Sequence, residues 1–540
     1  MIFLILFIIT ILPLKGLIGP GITDAHDSLS HVVRTYSFYE SLKEGNLIPR
    51  WSQHLNYGYG HPIFMFLYPL PSYAAALFHF AGFSFIDSVK AVLGVSFIFS
   101  GIFTYLWLKS LFGTWPALLG AAFYQLAPYR FVNLYVRDAF GENTAMLFIP
   151  LSFWLITKLI KQPNKKHLFL AAISIAGLLL SHNAISLMIL PLLCAYALIL
   201  MYRSESRLLL TAYCLLAIGL GFGLSAFFWL PAFVEGKYTL REVIMKGDAF
   251  ADGFVYFKQL ILPSWGYGVS ARGPNDGMSF QVGILQWLAF LLIPVMLLKS
   301  RKKDSWLTLL FGAAFLFSIF IMLDISLPIW HLIPIIKKFQ FPWRWLTVSV
   351  FTTSFLAANL AHRFKFSSQL TFLFTGLLVA QTFMYWQPKG FLSQSETELI
   401  QNYIGTTDTG ESTPLWAIRF QEKPSPGNLG VVWGAPIEQQ ILRRQAEIHE
   451  YTVTTTTETQ VSDNTLYFPG WKAYIDGRQV PIIYDDMNWR GEITFPIPTG
   501  THHVKVVFED TKLRRFANIL SLISLSGLLS TLWLNIGSKF

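Results

Sequence analysis

The chain has 540 residues, of which 53% are hydrophobic and 13% charged. Soluble domains carry about a quarter charged residues, so this composition excludes a soluble globular enzyme, and the apolar content excludes a disordered chain. Both cysteines, Cys194 and Cys214, lie inside apolar runs, which excludes a disulfide scaffold. What remains is a mainly α-helical, polytopic membrane protein. Its net charge of +10 reads as loop lysine and arginine at a lipid surface, with no nucleic-acid partner.

A membrane span needs about 20 mostly apolar residues. Such runs predict about 12 transmembrane helices, at 1–19, 86–108, 114–129, 143–160, 167–183, 184–202, 208–231, 281–300, 305–323, 346–362, 370–387 and 516–536. The first lacks a basic leading segment and a small-residue cleavage motif, which predicts a retained helix rather than a signal peptide. A further run, 62–83, is interrupted by Pro62, Pro69 and Pro71, as suits a re-entrant or interfacial element.

Charge sets the expected orientation. If 62–83 does not cross, one side collects five basic loops: Lys109; Lys158, Lys161, Lys165 and Lys166; Arg203 and Arg207; Arg301, Lys302 and Lys303; Arg363 and Lys365. The positive-inside rule then predicts a cytoplasmic N-terminus in a plasma membrane, with 20–85, 130–142, 232–280, 324–345 and 388–515 outside. Lys512, Arg514 and Arg515 run against this orientation, at the end of a long segment where the rule is weak.

The predicted domains are a transmembrane part over 1–387, a connecting region over 388–439, a small β-domain over 440–512, and a final helix with a short cytoplasmic tail over 513–540. Tyr451–Thr457, Thr465–Phe468, Trp471–Ile475, Gly491–Pro496 and His503–Phe508 read as strands. Asp476-Gly477 is a hairpin signal and Pro498-Thr499-Gly500 a second turn, which together suggest an antiparallel, sandwich-like domain.

Three outer stretches hold candidate chemistry. In Gly21–His31, Asp24, His26, Asp27 and His31 follow a membrane helix, where a carboxylate of raised pKa suits a general base and a carboxylate pair suits a divalent cation. Equally, Asp27 is a good N-cap for an amphipathic, interfacial helix over 28–43, and Asp24 a turn residue. Tyr129–Glu142 holds Arg130, Arg137, Asp138 and Glu142 beside aromatics, facing the first loop or forming a local ion pair. In Lys337–Trp345, Arg344 at a helix start is placed for a phosphate, with tryptophans to stack on a sugar or hold the cation; an interfacial aromatic belt is the plainer reading.

Other stretches signal less. Ser181-His182-Asn183 reads as a polar turn between helices, and Ser264–Gly268 with Arg272 as a loop that suits a mobile lid. Thr409–Trp416 suggests no chemistry, and His502-His503 is an isolated pair in the β-domain. No Walker, Rossmann, zinc-ligand or serine-elbow pattern is present, so soluble-nucleotide chemistry is unsupported.

Several of these motifs together resemble a family. They are Asp24 with Gly45 and Pro49-Arg50-Trp51, Gly58-Tyr59-Gly60-His61-Pro62, Tyr68-Pro69-Leu70-Pro71, Arg137-Asp138, Phe341-Pro342-Trp343-Arg344, and Phe468-Pro469-Gly470-Trp471-Lys472-Ala473. The chain resembles GT-C membrane glycosyltransferases, and more closely the YfhO-type proteins and the 6-pyruvoyl-tetrahydropterin synthase-related membrane proteins. The resemblance implies inverting transfer of a sugar from a polyprenyl-phosphate donor to a glycan, lipid or protein acceptor at the outer face of the membrane. It implies Asp24 as base, Asp27 as second choice, and Asp138 as a second acidic position. Asp24 and Asp138 would be the ligands of a divalent cation, Mg or Mn, if one is used. Arg344, helped by Arg137 and Lys338, would stabilise the leaving phosphate, with His26, His61, Glu142, Trp343 and Arg272 completing the substrate-binding set. The acids here are spaced as Asp-Ala-His-Asp, not as the adjacent pair of the O-mannosyltransferases.

Two other classes fit the composition. A transporter or flippase of lipid-linked glycans would place its ionisable groups near the midplane, often with repeat symmetry, whereas the charges here gather at the outer rim. A non-catalytic scaffold displaying the β-domain would not need acids and arginines in three separate loops.

Overall fold

The computed structural model describes residues 2–202, 206–299, 302–486 and 488–536. Arg203 and Arg301 of the predicted basic loops lie outside the described residues. The chain is mainly helical; its described strands form a small two-stranded sheet and a C-terminal domain.

Among the described residues, four helices are long and apolar enough to cross a membrane: Phe85–Phe112, Phe140–Lys161, Asn183–Tyr202 and Arg207–Leu224. Ser305–Ile321 with Asp324–Leu332, bent by 96°, makes up to five, which corrects the expected twelve. For three of these runs the reason is local. Residues 2–17 split at Pro13 into Ile2–Thr10 and a 3-10 turn, Leu12–Leu17. Thr114–Gln125 stops before Pro128, and 281–300 divides into Ile284–Leu291 and Ile293–Leu298 around Pro294. The 62–83 run forms Ile63–Phe66 and Leu70–Phe80. At 1.5 Å per residue the longer is about 16 Å, too short to span.

The helix expected at the first outer loop is present as Ser28–Lys43, with Asp27 at its N-cap position but without a capping hydrogen bond. It is not an interfacial helix with one apolar face. Both Val32 and Val33 and the polar His31, Arg34, Thr35 and Ser37 are buried, because Leu70–Phe80, Phe85–Phe112 and Glu396–Asn402 pack around it.

Ten strands occur. β1 (Ile22–Thr23) pairs with β2 (Phe391–Leu392), tying the first outer loop to the segment after the membrane part. The C-terminal domain holds β3 (Gly430–Trp433), β4 (Ile437–Gln445), β5 (Ile448–Thr455), β6 (Thr459–Leu466), β7 (Trp471–Ile475), β8 (Arg478–Val480), β9 (Glu492–Ile497) and β10 (Gly500–Phe508). They form a five-stranded sheet, β4-β5-β10-β7-β8, and a three-stranded sheet, β3-β6-β9, antiparallel throughout. The strands begin at Gly430, ten residues before the expected boundary. The Asp476-Gly477 turn closes β7 on β8, both residues at positive φ as a type I′ hairpin requires.

The core between the sheets is not the domain's alone. Trp51, Met65 and Phe66 of the first outer segment join Tyr451, Trp471, Phe495 and Val504 in one apolar cluster. Trp51 meets Trp471 edge-on at 5.4 Å, and Phe66 meets Phe468 at 6.0 Å.

Candidate functional site

The stretch expected as an outer loop at 130–142 is buried. It runs as a helical turn, Pro128–Phe131, then a π turn, Val132–Val136, and enters the Phe140–Lys161 helix. Such π turns accompany functional sites. The first outer loop lies directly against it, since His26 N donates to the Val136 carbonyl at 3.0 Å and Asp27 N to that of Arg137 at 3.2 Å.

Glu142 is the buried hub. It accepts from Arg137 Nη2 and from Arg344 Nε, both at 2.8 Å, from the Tyr129 hydroxyl at 3.1 Å and from Asn133 Nδ2 at 3.3 Å. Arg137 also donates to Asn133 Oδ1 at 2.6 Å and lies over the Trp343 ring at 4.4 Å. Trp343 thus holds Arg137, not its neighbour Arg344. Arg344 sits in the 3-10 turn Pro342–Trp345 that starts the Leu346–Arg363 helix. Its Nη1 donates to the Phe339 carbonyl at 2.8 Å and to Gln340 Oε1 at 3.0 Å. Gln340 in turn donates to Glu411, which pairs with Arg241 at 2.9 Å, so the 409–416 stretch has a place in the support of Arg344.

Asp138 stands at φ +54 and is buried. Its Oδ2 accepts from Ser28 Oγ at 2.7 Å, while its Oδ1 has no partner among the described residues. Burial pushes its carboxyl up to about 6, against the hydroxyl hydrogen bonds of Ser28 and Thr23. Asp27 is exposed, and its charge acts on His31, Tyr68, Arg137 and Asp138. Asp24 points elsewhere: it is bound to Lys389 at 2.8 Å, both partly exposed.

Four further residues belong to this cluster: His31, already a candidate of the first outer loop; His182, expected as a polar turn; Tyr68, expected only as part of a Pro-rich motif; and Arg34, which the sequence reading leaves out. Buried Arg34 donates to Thr407 Oγ1 at 3.3 Å, to the Thr407 carbonyl, and to His31 Nδ1 at 3.2 Å. That bond leaves the His31 proton on Nε2, which is buried and has no partner among the described residues. Burial and then the Arg34 charge lower His31 to about 3, and burial and then Arg344 lower His182 to about 3. His182 stacks on Tyr68 at 4.8 Å. Burial raises the Tyr68 hydroxyl, which feels Arg34, Arg344, Glu142 and Asp27. One signal was available: Asp27, His31 and Arg34 follow the i, i+4, i+7 spacing of one helix face.

The remaining candidates lie outside the cluster's hydrogen bonds. His61 is buried against Asp408 at 3.4 Å, where the first outer segment meets the connecting region. Lys338 pairs with Glu242 at 3.5 Å. Arg272 stands 4.0 Å from Asp252 with both exposed. His26 Nε2 meets the Tyr267 carbonyl at 3.3 Å, which brings the 264–268 loop to the rim. Among the described residues no three His, Cys, Asp or Glu side chains converge to hold a metal ion.

Beside the cluster an apolar groove of about 550 Å³ runs between helices, lined by Leu187, Pro191, Phe317, Ile336, Phe339 and Trp345 among others. Phe339 belongs to both, since its ring lines the groove and its carbonyl holds Arg344.

Residues 64–388 match the family model described as "6-pyruvoyl-tetrahydropterin synthase related domain; membrane protein". The chain is also 26% identical, over 253 residues, to a Lactococcus lactis subsp. cremoris (strain MG1363) protein described as uncharacterized. That alignment covers 45% of this chain and 41% of the relative, so the chain spans about two fifths of the length of the relative it matches.

Proposed function

The chain belongs to the membrane-protein family of the 6-pyruvoyl-tetrahydropterin synthase related domain, and from that premise we propose that it is a GT-C-like glycosyltransferase of the plasma membrane. It moves a sugar from a polyprenyl-phosphate donor to an extracytoplasmic acceptor, with its N-terminus in the cytoplasm and its β-domain outside. One observation carries the reading. Three buried guanidinium groups, Arg34, Arg137 and Arg344, gather with unpartnered polar atoms of His31 and Asp138 beside an apolar groove. That combination suits a ligand with an anionic head and a long apolar tail.

In this reading the lipid tail lies in the groove and its phosphate faces Arg344 and Arg34. Asp27 is the base, because it is exposed beside the cluster, whereas Lys389 holds Asp24. The acceptor hydroxyl gives its proton to the Asp27 carboxylate as its oxygen bonds to the anomeric carbon. The bond from that carbon to the phosphate oxygen breaks, and the polyprenyl phosphate leaves with the electron pair, inverting the centre. The arginines stabilise the charge that develops on the phosphate. Among the described residues no three-ligand cation site assembles, and the transfer needs none of its residues to hold a metal.

The test is an envelope glycan profile of a strain lacking the protein, complemented with wild type, Asp27→Asn or Asp24→Asn at matched membrane levels. A modification lost in the deletion, restored by wild type and by Asp24→Asn, and absent with Asp27→Asn is the expected result. Full restoration by Asp27→Asn removes Asp27 as base. An unchanged profile in the deletion strain overturns sugar transfer.

A further inference from the structure

The helices that carry the cluster have a second polar end. Glu142 and Arg344 stand at the starts of the Phe140–Lys161 and Leu346–Arg363 helices, and Lys161 and Arg363 at their ends. At 1.5 Å per residue these ends are roughly 28 Å apart, about the thickness of a bilayer's hydrocarbon core. There a cavity of about 1140 Å³ opens, lined by Lys161, Lys299, His362, Arg363 and Lys365. No Asp or Glu is among its described lining residues. Lys161 Nζ donates to the Ser110 carbonyl at 2.5 Å, Lys299 lies over the Phe364 ring at 4.2 Å, and His362 Nδ1 meets the Phe112 carbonyl at 3.1 Å. The groups that meet Lys161, Lys299 and His362 in these contacts are neutral. The rest of the wall is apolar, including Phe112, Ile160, Leu200, Leu307 and Phe355.

We infer that this cavity binds the phosphate of an anionic phospholipid, its head against the basic rim and its chains along the apolar wall. Basic pockets between membrane helices suit such anionic heads. The apolar wall distinguishes this site from a surface ring of lysines, which has nowhere to lay a chain. The inference stands apart from sugar transfer, since it uses none of the residues of the cluster.

The test is native mass spectrometry of the full chain, released from vesicles of phosphatidylglycerol and phosphatidylcholine in equal amounts, with inorganic phosphate as a competitor. Wild type is expected to retain phosphatidylglycerol selectively. A lysine at an anionic lipid surface is worth about fivefold. The triple variant Lys161→Gln, Lys299→Gln, Lys365→Gln is therefore expected to lose more than about tenfold in retention. A control triple at the same end but outside the cavity, Lys158→Gln, Lys165→Gln, Lys166→Gln, is expected to retain the lipid, as is the cavity triple made with Arg, which keeps the charge. Equal loss in the two Gln triples, or no preference for phosphatidylglycerol in wild type, overturns the site. Displacement of the lipid by inorganic phosphate at matched concentration overturns the lipid in favour of a soluble phosphate.

Discussion

Glu142 is held by two guanidinium groups from different elements, one five residues ahead of it and one 202 residues away. Removing one partner of such a buried pair typically costs about 3–5 kcal/mol, since an uncompensated charge remains. Asp138 next to it is the opposite case, a buried carboxyl without a cationic partner within bonding distance among the described residues. Its pH dependence follows from sign. In the unfolded chain it ionises near 4; in the fold it keeps its proton up to about 6. The folded state binds more protons between these values, so this group's contribution to stability falls as pH rises through the window and stays low above it. Asp138→Asn removes the effect and tolerates the positive φ. The melting temperature of the variant minus that of wild type, measured in detergent, is expected to be larger at pH 8 than at pH 4.5. A difference that does not change with pH would show that Asp138 does not titrate in the folded state's favour.

At the scale of elements, the start of the Phe140–Lys161 helix is packed close enough to exclude a methyl group. A Cβ at Gly141 would stand 2.1 Å from the Tyr68 ring and 2.7 Å from the Ser181 carbonyl. That closeness sets Tyr68 against His182 beside Glu142. Gly141→Ala is expected to cost about 1–3 kcal/mol through overpacking and to lower activity more than a change at an exposed glycine with open space around it, such as Gly376→Ala. Thermal melts and the glycan profile of the two variants check this, and equal behaviour of the two refutes the close-packing argument. The same scale explains three of the missing spans. Hydropathy reads apolar runs, but Pro13, Pro128 and Pro294 divide them into helices shorter than a bilayer.

Across the whole molecule, the β-domain is bound to the membrane part by apolar and ionic contacts. Arg514, fully buried at the start of the last helix, donates to Glu235 at 2.8 Å, and Thr511 donates to the same carboxylate at 2.8 Å. Arg50 pairs with Asp510 at 2.9 Å and donates to Asn518 at 2.9 Å. The basic triplet that ran against the expected orientation thus includes one arginine whose charge is neutralised inside the fold. Glu235→Gln leaves that arginine buried with no carboxylate, at about 3–5 kcal/mol. Hydrogen exchange is expected to rise in β7, β10 and residues 510–518. Unchanged exchange there would mean that Trp51 and Phe66 hold the domain without the ion pair.

The sequence by itself determined what depends on neighbours along the chain. The membrane class follows from composition, the Trp471–Ile475 strand and its Asp476-Gly477 hairpin from residue preference and turn geometry, and the Ser28–Lys43 helix from the helical spacing of its apolar residues. It also marked Arg137, Asp138, Glu142 and Arg344, because charged groups beside apolar runs are conspicuous wherever they fall. Tertiary structure decided what depends on contacts between distant segments. Only packing turns the 130–142 stretch inward, gives Trp343 to Arg137, binds Asp24 to Lys389, and leaves Asp27 exposed beside His31 and Arg34. Burial, and with it the electrostatic weight of each charge, is set by helices that meet across a hundred or more residues, and no local spacing encodes which ones meet.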